Sequence, residues 1–130
     1  MLRVENSSPA PDGTVTATVW LEPAGNPVYG LDLVLRYEPA TATPVDVEPG
    51  PLAGGLALSH NVGASGEVRV ALAGTLPITH PGVLLRVRLQ AGDSSDPVMM
   101  TPVWGQVNEG AVPLRLKASR YALYLPLVTR

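Results

Sequence analysis

The sequence predicts an all-β fold of two packed sheets, and three observations predict it. Gly and Pro are spread along the whole chain, thirteen and fourteen in 130 residues, and each Pro removes a backbone donor and blocks a helix interior. Apolar residues recur at every second position in short runs, the period of a strand with one buried face. Phe is absent, so the 45% apolar content is carried mainly by Val, Leu and Ala and the core must be aliphatic, which favours strands.

The strands follow in order. Leu2 to Glu5 is the first short run. Thr14 to Leu21 alternates strictly, with Val15, Ala17, Val19 and Leu21 on one face and the threonines with Trp20 on the other. Pro11-Asp12-Gly13 before it and Pro23-Ala24-Gly25-Asn26-Pro27 after it are turn chemistry, because Pro presets φ while Gly and Asn tolerate positive φ. Val28 to Tyr37 places Leu31, Leu33, Leu35 and Tyr37 inward and Asp32, Val34 and Arg36 outward. A short Val45 to Val47 strand closes at Pro49-Gly50-Pro51. Glu67 to Ala73 turns Val68, Val70 and Leu72 inward, and Val83 to Leu89 turns Val83, Leu85, Val87 and Leu89 inward. Val98 to Trp104, Val112 to Lys117 and Tyr121 to Val128 complete about nine short strands, the pattern of an antiparallel sandwich. Two sheets are needed to bury so many single apolar faces. The length fits one domain over residues 1–130, with residues 119–130 a terminal strand or a tail.

Composition excludes several function classes. A formal net charge of −2 provides no basic footprint for nucleic acid. Cysteine is absent, so no disulfide framework or zinc-thiolate site is possible. No apolar run reaches the roughly 18 residues of a membrane span. Met1 is followed at once by Leu2-Arg3-Val4, without the charged and apolar regions of a signal peptide. The chain thus reads as cytoplasmic or as one domain of a longer secreted protein.

The succession of punctuated strands carries a resemblance. Gly30-Leu31-Asp32-Leu33-Val34-Leu35-Arg36-Tyr37-Glu38-Pro39 matches a G-x-D-x-x-L-x-Y-D/E-P segment, and Val47-Glu48-Pro49-Gly50 matches a V-x-P-G that follows it. Asn61, then Gly66 to Ala73 and Gly74, correspond to N…G-x-V-R-V-A…A-G, and Gly82-Val83-Leu84 to a G-V-L strand. From about residue 11 to 114 the chain resembles a bacterial cohesin domain, the module type of cellulosome scaffoldins. The resemblance implies a nine-stranded, two-sheet jelly roll that works as a non-catalytic interaction module on the cell surface or outside the cell. It implies a dockerin-type protein partner, with calcium residing in the dockerin and no cofactor here. On this sequence the partner face would be the outward side of the strands with Asp32, Val34 and Arg36, and with Arg69, Ala71 and Ala73. Asn61 would sit in the loop entering the second of these strands. Asp32 stands where cohesins often keep a hydrogen-bonding Asp. The sequence departs from the family at Gly74, where some cohesins carry an acidic contact residue, and at Ala71 and Ala73, where those cohesins present larger apolar contacts.

Other residues compete for attention. Arg36 and Arg69 are candidate cross-strand partners of Asp32 or of Glu67. Trp20 and Trp104 raise a carbohydrate-binding alternative, favoured if they share an exposed face, because flat aromatics stack on pyranose rings. Trp20 is the better candidate, and its bland alternative is packing beneath a chain end or loop. His60 and His80 lie in expected loops without a nucleophile motif, so catalysis is not expected. Asp93 and Asp96, three apart, have a spacing that suits Ca²⁺, but Asp, Ser and Pro are also what a turn requires, and no metal is expected. Asn6-Ser7-Ser8 fits a glycosylation sequon. Tyr121 to Val128, apolar on both faces, either completes a sheet or adds to a neighbouring molecule as part of a self-assembling surface unit.

Overall fold

The computed structural model describes residues 1–23, 25–54, 56–62, 66–92, 98–110 and 114–120. Nine strands lie among these residues: β1 Leu2–Asn6, β2 Thr14–Leu21, β3 Val28–Arg36, β4 Ala42–Pro49, β5 Ala57–Val62, β6 Glu67–Ile78, β7 Gly82–Ala91, β8 Thr101–Val107 and β9 Leu116–Arg120. They form a five-stranded back sheet, ordered β4-β7-β2-β1-β9, and a four-stranded front sheet, ordered β5-β6-β3-β8. All pairs are antiparallel except β1 with β9, where Leu2 faces Leu116 and Val4 faces Ala118 in parallel register.

The alternation in the sequence becomes the core. In β2, Val15, Ala17 and Val19 are fully buried, and in β3 Leu31, Leu33 and Leu35 face them from the front sheet. Val68, Val70 and Leu72 of β6 and Leu85, Val87 and Leu89 of β7 are also buried, as the sequence predicts. Burying a Val or Leu side chain contributes about 1.5–3 kcal/mol, so this aliphatic interior is the main stabilising term. Tyr37, just after β3, is buried too, and its backbone N–H donates to Gly66 O at 2.8 Å. Gly66 has φ +94, and a Cβ there would lie 2.7 Å from Tyr37 O. Only glycine fits that approach, which holds the start of β6 beside the end of β3.

Several expectations are corrected. Val83 is only half-buried and Leu84 takes the core position beside Leu85, because the ladder slips between Val19–Leu85 and Trp20–Val83. A bulge of this kind puts two consecutive side chains on altered headings. The expected Val45 to Val47 strand extends over Ala42–Pro49, and Val45 itself is 58% exposed where the pairing skips from Pro44–Leu89 to Asp46–Arg88. β6 runs on past Ala73 to Ile78, and β8 begins at Thr101 and not at Val98. Val98 and Met100 are buried ahead of β8. The strand expected over Val112 to Lys117 is β9, Leu116–Arg120. Ala57–Val62, read as a loop, is an edge strand. Tyr121 to Val128, Asp93 and Asp96 lie outside the described residues.

Candidate functional site

The outer face of the front sheet collects every residue proposed for partner contact. Residues directly opposite one another in an antiparallel pair point to the same side. Val34 faces Arg69 across one ladder and Trp104 across the other, and Arg69 in turn faces Asn61. One row of the face is therefore Asn61, Arg69, Val34 and Trp104. The adjoining row is Ser59, Ala71, Asp32 and Gln106. Ala73 lies opposite Gly30 and Ala57 one row further, and Arg36 lies opposite Glu67 at the other end. Asp32, Val34, Arg36, Asn61, Arg69, Ala71 and Ala73 thus share one surface, drawn from three strands. Asn61 stands on β5 itself and not in a loop.

Val34 departs from its expected exposure. It is outward by alternation yet only 7% exposed, because Arg69 and Trp104 flank it. Asp32 is exposed, and among the described residues no side chain pairs with its carboxylate. The two arginines instead share Glu67: Arg36 donates to Glu67 Oε2 at 3.0 Å and Arg69 to Glu67 Oε1 at 3.4 Å. Hydrogen bonding from Arg36, aided by the charges of both guanidiniums, holds the Glu67 carboxyl below its ordinary range. An unpaired carboxylate on a rigid strand, between small Ala71 and Gln106, is free to accept hydrogen bonds from a partner.

The far end of the face is pinned by Asn108. Its Oδ1 accepts from Tyr29 N at 2.8 Å and Gly30 N at 3.2 Å, while its Nδ2 donates to Pro27 O at 2.8 Å. Asn108 and Glu109 adopt φ of 49° and 58°, a left-handed pair that Asn and a following Gly110 accommodate. This clamp was not foreseen, although Asn108-Glu109-Gly110 is turn chemistry that could have marked it. A depression lined by Tyr29, Gly30, Asp32, Ala71, Ala73 and Asn108 lies against it.

The two tryptophans do not share a face. Trp20 is on the outer side of the back sheet, where the guanidinium of Arg3 lies 5.3 Å from its ring centroid. Trp104 is on the front sheet, 48% exposed, in the row with Val34 and Arg69. His60 is on β5 and His80 contacts Thr79, whose Oγ1 lies 2.9 Å from its Nδ1. Among the described residues no cluster of His, Asp and Glu is arranged to hold a metal, and no helix is long and apolar enough to cross a membrane.

Comparison with known proteins places this face in context. The non-cellulosomal cohesin of the archaeon Archaeoglobus fulgidus superposes with a TM-score of 0.68 at 19% identity, covering 92% of this chain and 86% of that one. The third ScaC cohesin of Acetivibrio cellulolyticus, solved with the ScaB dockerin, gives 0.70 at 14% identity over 93% and 94%. The cohesin module of a Clostridium perfringens family 33 glycoside hydrolase gives 0.69 at 18% identity over 92% and 95%. At these identities the likeness establishes the fold. No curated protein matches the sequence. The family model of the cohesin domain matches residues 2–106, most of the chain, and the chain belongs to the cohesin domain family.

Proposed function

We propose that this chain is a non-catalytic protein-binding module that receives a dockerin-type partner on the outer face of its front sheet, in an extracellular or cell-surface assembly. The observation that carries the reading is the convergence of Asp32, Val34, Arg36, Asn61, Arg69, Ala71 and Ala73 on one rigid surface around an unpaired carboxylate. Small side chains at Ala71 and Ala73 leave room for a partner's bulk, and Asp32 supplies an exposed charged acceptor. Family membership supports the same assignment, and the ScaC cohesin of similar fold was solved with a dockerin bound.

Pull-down with dockerin modules encoded in the same genome tests it. Wild type retains a cognate dockerin, and Asp32→Ala weakens that complex by about 1–3 kcal/mol through loss of a charge-assisted hydrogen bond. The melting temperature stays nearly unchanged, because among the described residues none pairs with the Asp32 carboxylate. Capture of no dockerin, or capture indifferent to Asp32, refutes the assignment of this face.

A further inference from the structure

A β-bulge gives the front sheet a feature that its strand pattern does not require. Val34 pairs with Trp104 and Leu35 with Pro102, so Val103 has no counterpart on β3. The extra residue re-aims the strand, and two consecutive large apolar side chains reach solvent, Val103 at 39% and Trp104 at 48% exposure. β8 is an edge strand of this sheet. Exposed apolar groups on an edge are a liability that a fold normally avoids, and they are retained where something covers them.

The surroundings specify what covers them. Trp104 and Val103 border a depression with Val34, Arg36, Glu67 and Arg69. The side chains of Arg36 and Arg69 are 59% and 66% exposed, and both lean on the single carboxylate of Glu67. Two cations against one anion leave this end of the face positive. Asp32 lies four residues along β3 from Arg36, about 13 Å at the strand rise, in the row beyond Arg69, so the charge of the surface changes sign along β3. An aromatic centre over a buried aliphatic floor, rimmed by arginines, has the make-up of an interface hot spot. A sugar platform fits less well, since Trp20 is on the other sheet and cannot stack beside Trp104.

We propose that Trp104 is the anchoring and specificity-determining residue of this face, and that the partner it selects carries an apolar recess bordered by carboxylates that meet Arg36 and Arg69. The inference rests on the dockerin-binding reading and deepens it. The charge difference between the Arg36–Arg69 end and Asp32 fixes the partner in one orientation, with its acidic border over the arginines and a donor over Asp32.

Titration calorimetry with calcium-loaded dockerin modules from the same genome, together with the ScaB dockerin of Acetivibrio cellulolyticus as a further probe, tests the inference. Trp104→Ala should raise Kd about tenfold or more, and Trp104→Phe should recover most of that loss. Arg69→Ala should raise Kd several-fold and flatten its dependence on salt. Thermal melts of all three variants should stay cooperative and fall only modestly, Trp104→Ala the most because it uncovers Val34, so that a loss of affinity is read on folded protein. If Trp104→Ala binds like wild type while Asp32→Ala does not, the anchor is refuted and the dockerin reading stands. If Arg69→Ala alters neither Kd nor its salt dependence, the acidic border is refuted. If wild type binds no dockerin in the panel, the function and the anchor fall together. Retention on insoluble cellulose or xylan that Trp104→Ala abolishes would make the tryptophan a sugar site and overturn the inference.

Discussion

The carboxamide of Asn6 forms a two-point bridge to the backbone of Met100, donating from Nδ2 to Met100 O at 3.0 Å and accepting Met100 N–H on Oδ1 at 2.8 Å. Asn6 is fully buried at the end of β1 in the back sheet, and Met100 is buried just before β8 in the front sheet. The side chain acts as one rung of a β-ladder between layers that share no backbone pairing. It gives the backbone N–H and C=O of the buried Met100 a partner each.

Asn6→Ala is expected to destabilise the fold by about 2–4 kcal/mol, because it leaves a buried donor and a buried acceptor unpaired. Asn6→Asp should lie close to it, since a carboxylate accepts from Met100 N–H but cannot donate to Met100 O. Urea unfolding midpoints check both. The same burial means that the Asn6-Ser7-Ser8 sequon is closed to modification once the domain has folded.

Val70→Asp is expected to unfold the module or lower its urea midpoint severely, because Val70 is 3% exposed and the substitution places an unpaired charge between the sheets. Arg69→Asp, one residue away and facing solvent, should cost far less. Equal midpoints would mean that the faces of β6 are exchanged, since a one-residue slip inverts every side chain.

What was legible in the sequence follows from these periodicities. β2, β3 and β6 carry alternation over long stretches, as does β7 from Leu85 onward, and their inward residues are the core. β5 was missed because in Ala57-Leu58-Ser59-His60-Asn61-Val62 a histidine stands between Leu58 and Val62 and interrupts the apolar alternation, as an edge strand with one free side allows. That Asp32, Arg69 and Ala71 point to the outer side of one sheet was legible because alternation fixes direction. Trp104 was not assigned to it, because its position depends on the bulge at Val103 and on β8 lying beside β3, and neither register nor strand order is written in a single strand. The burial of Val34 escaped for the same reason: its cover comes from neighbouring strands.

The Arg36–Glu67–Arg69 cluster should impart a pH dependence to stability. Glu67 has a folded-state pKa below its ordinary 4.5, chiefly through the hydrogen bond from Arg36. The unfolded chain therefore takes up the proton first as pH falls, and the contribution of the cluster is fully present above about pH 4.5 and is lost as pH drops through the lower folded value. Wild type should exceed Glu67→Gln in urea midpoint by a small margin near neutrality, and the margin should close in acid. The groups are exposed, so strong salt should shrink the margin as well. A margin that widens in acid would contradict the assignment.

Trp20 and Asp32 should separate stability from binding. Trp20 packs its ring under Arg3 on the back sheet, and its indole N–H is shielded from water. Truncation to Ala removes a half-buried aromatic and the cation–π contact, for an expected loss of about 1–3 kcal/mol in stability. It should leave the affinity for a dockerin unchanged, because the front sheet is on the other side of the core. Asp32→Ala should do the reverse, weakening the complex while the thermal midpoint stays in place. Thermal melts and calorimetric titrations on the two variants read both effects independently. A Trp20→Ala protein that melts normally but loses its partner would move the docking surface to the back sheet, and with it the role assigned to every residue around Asp32.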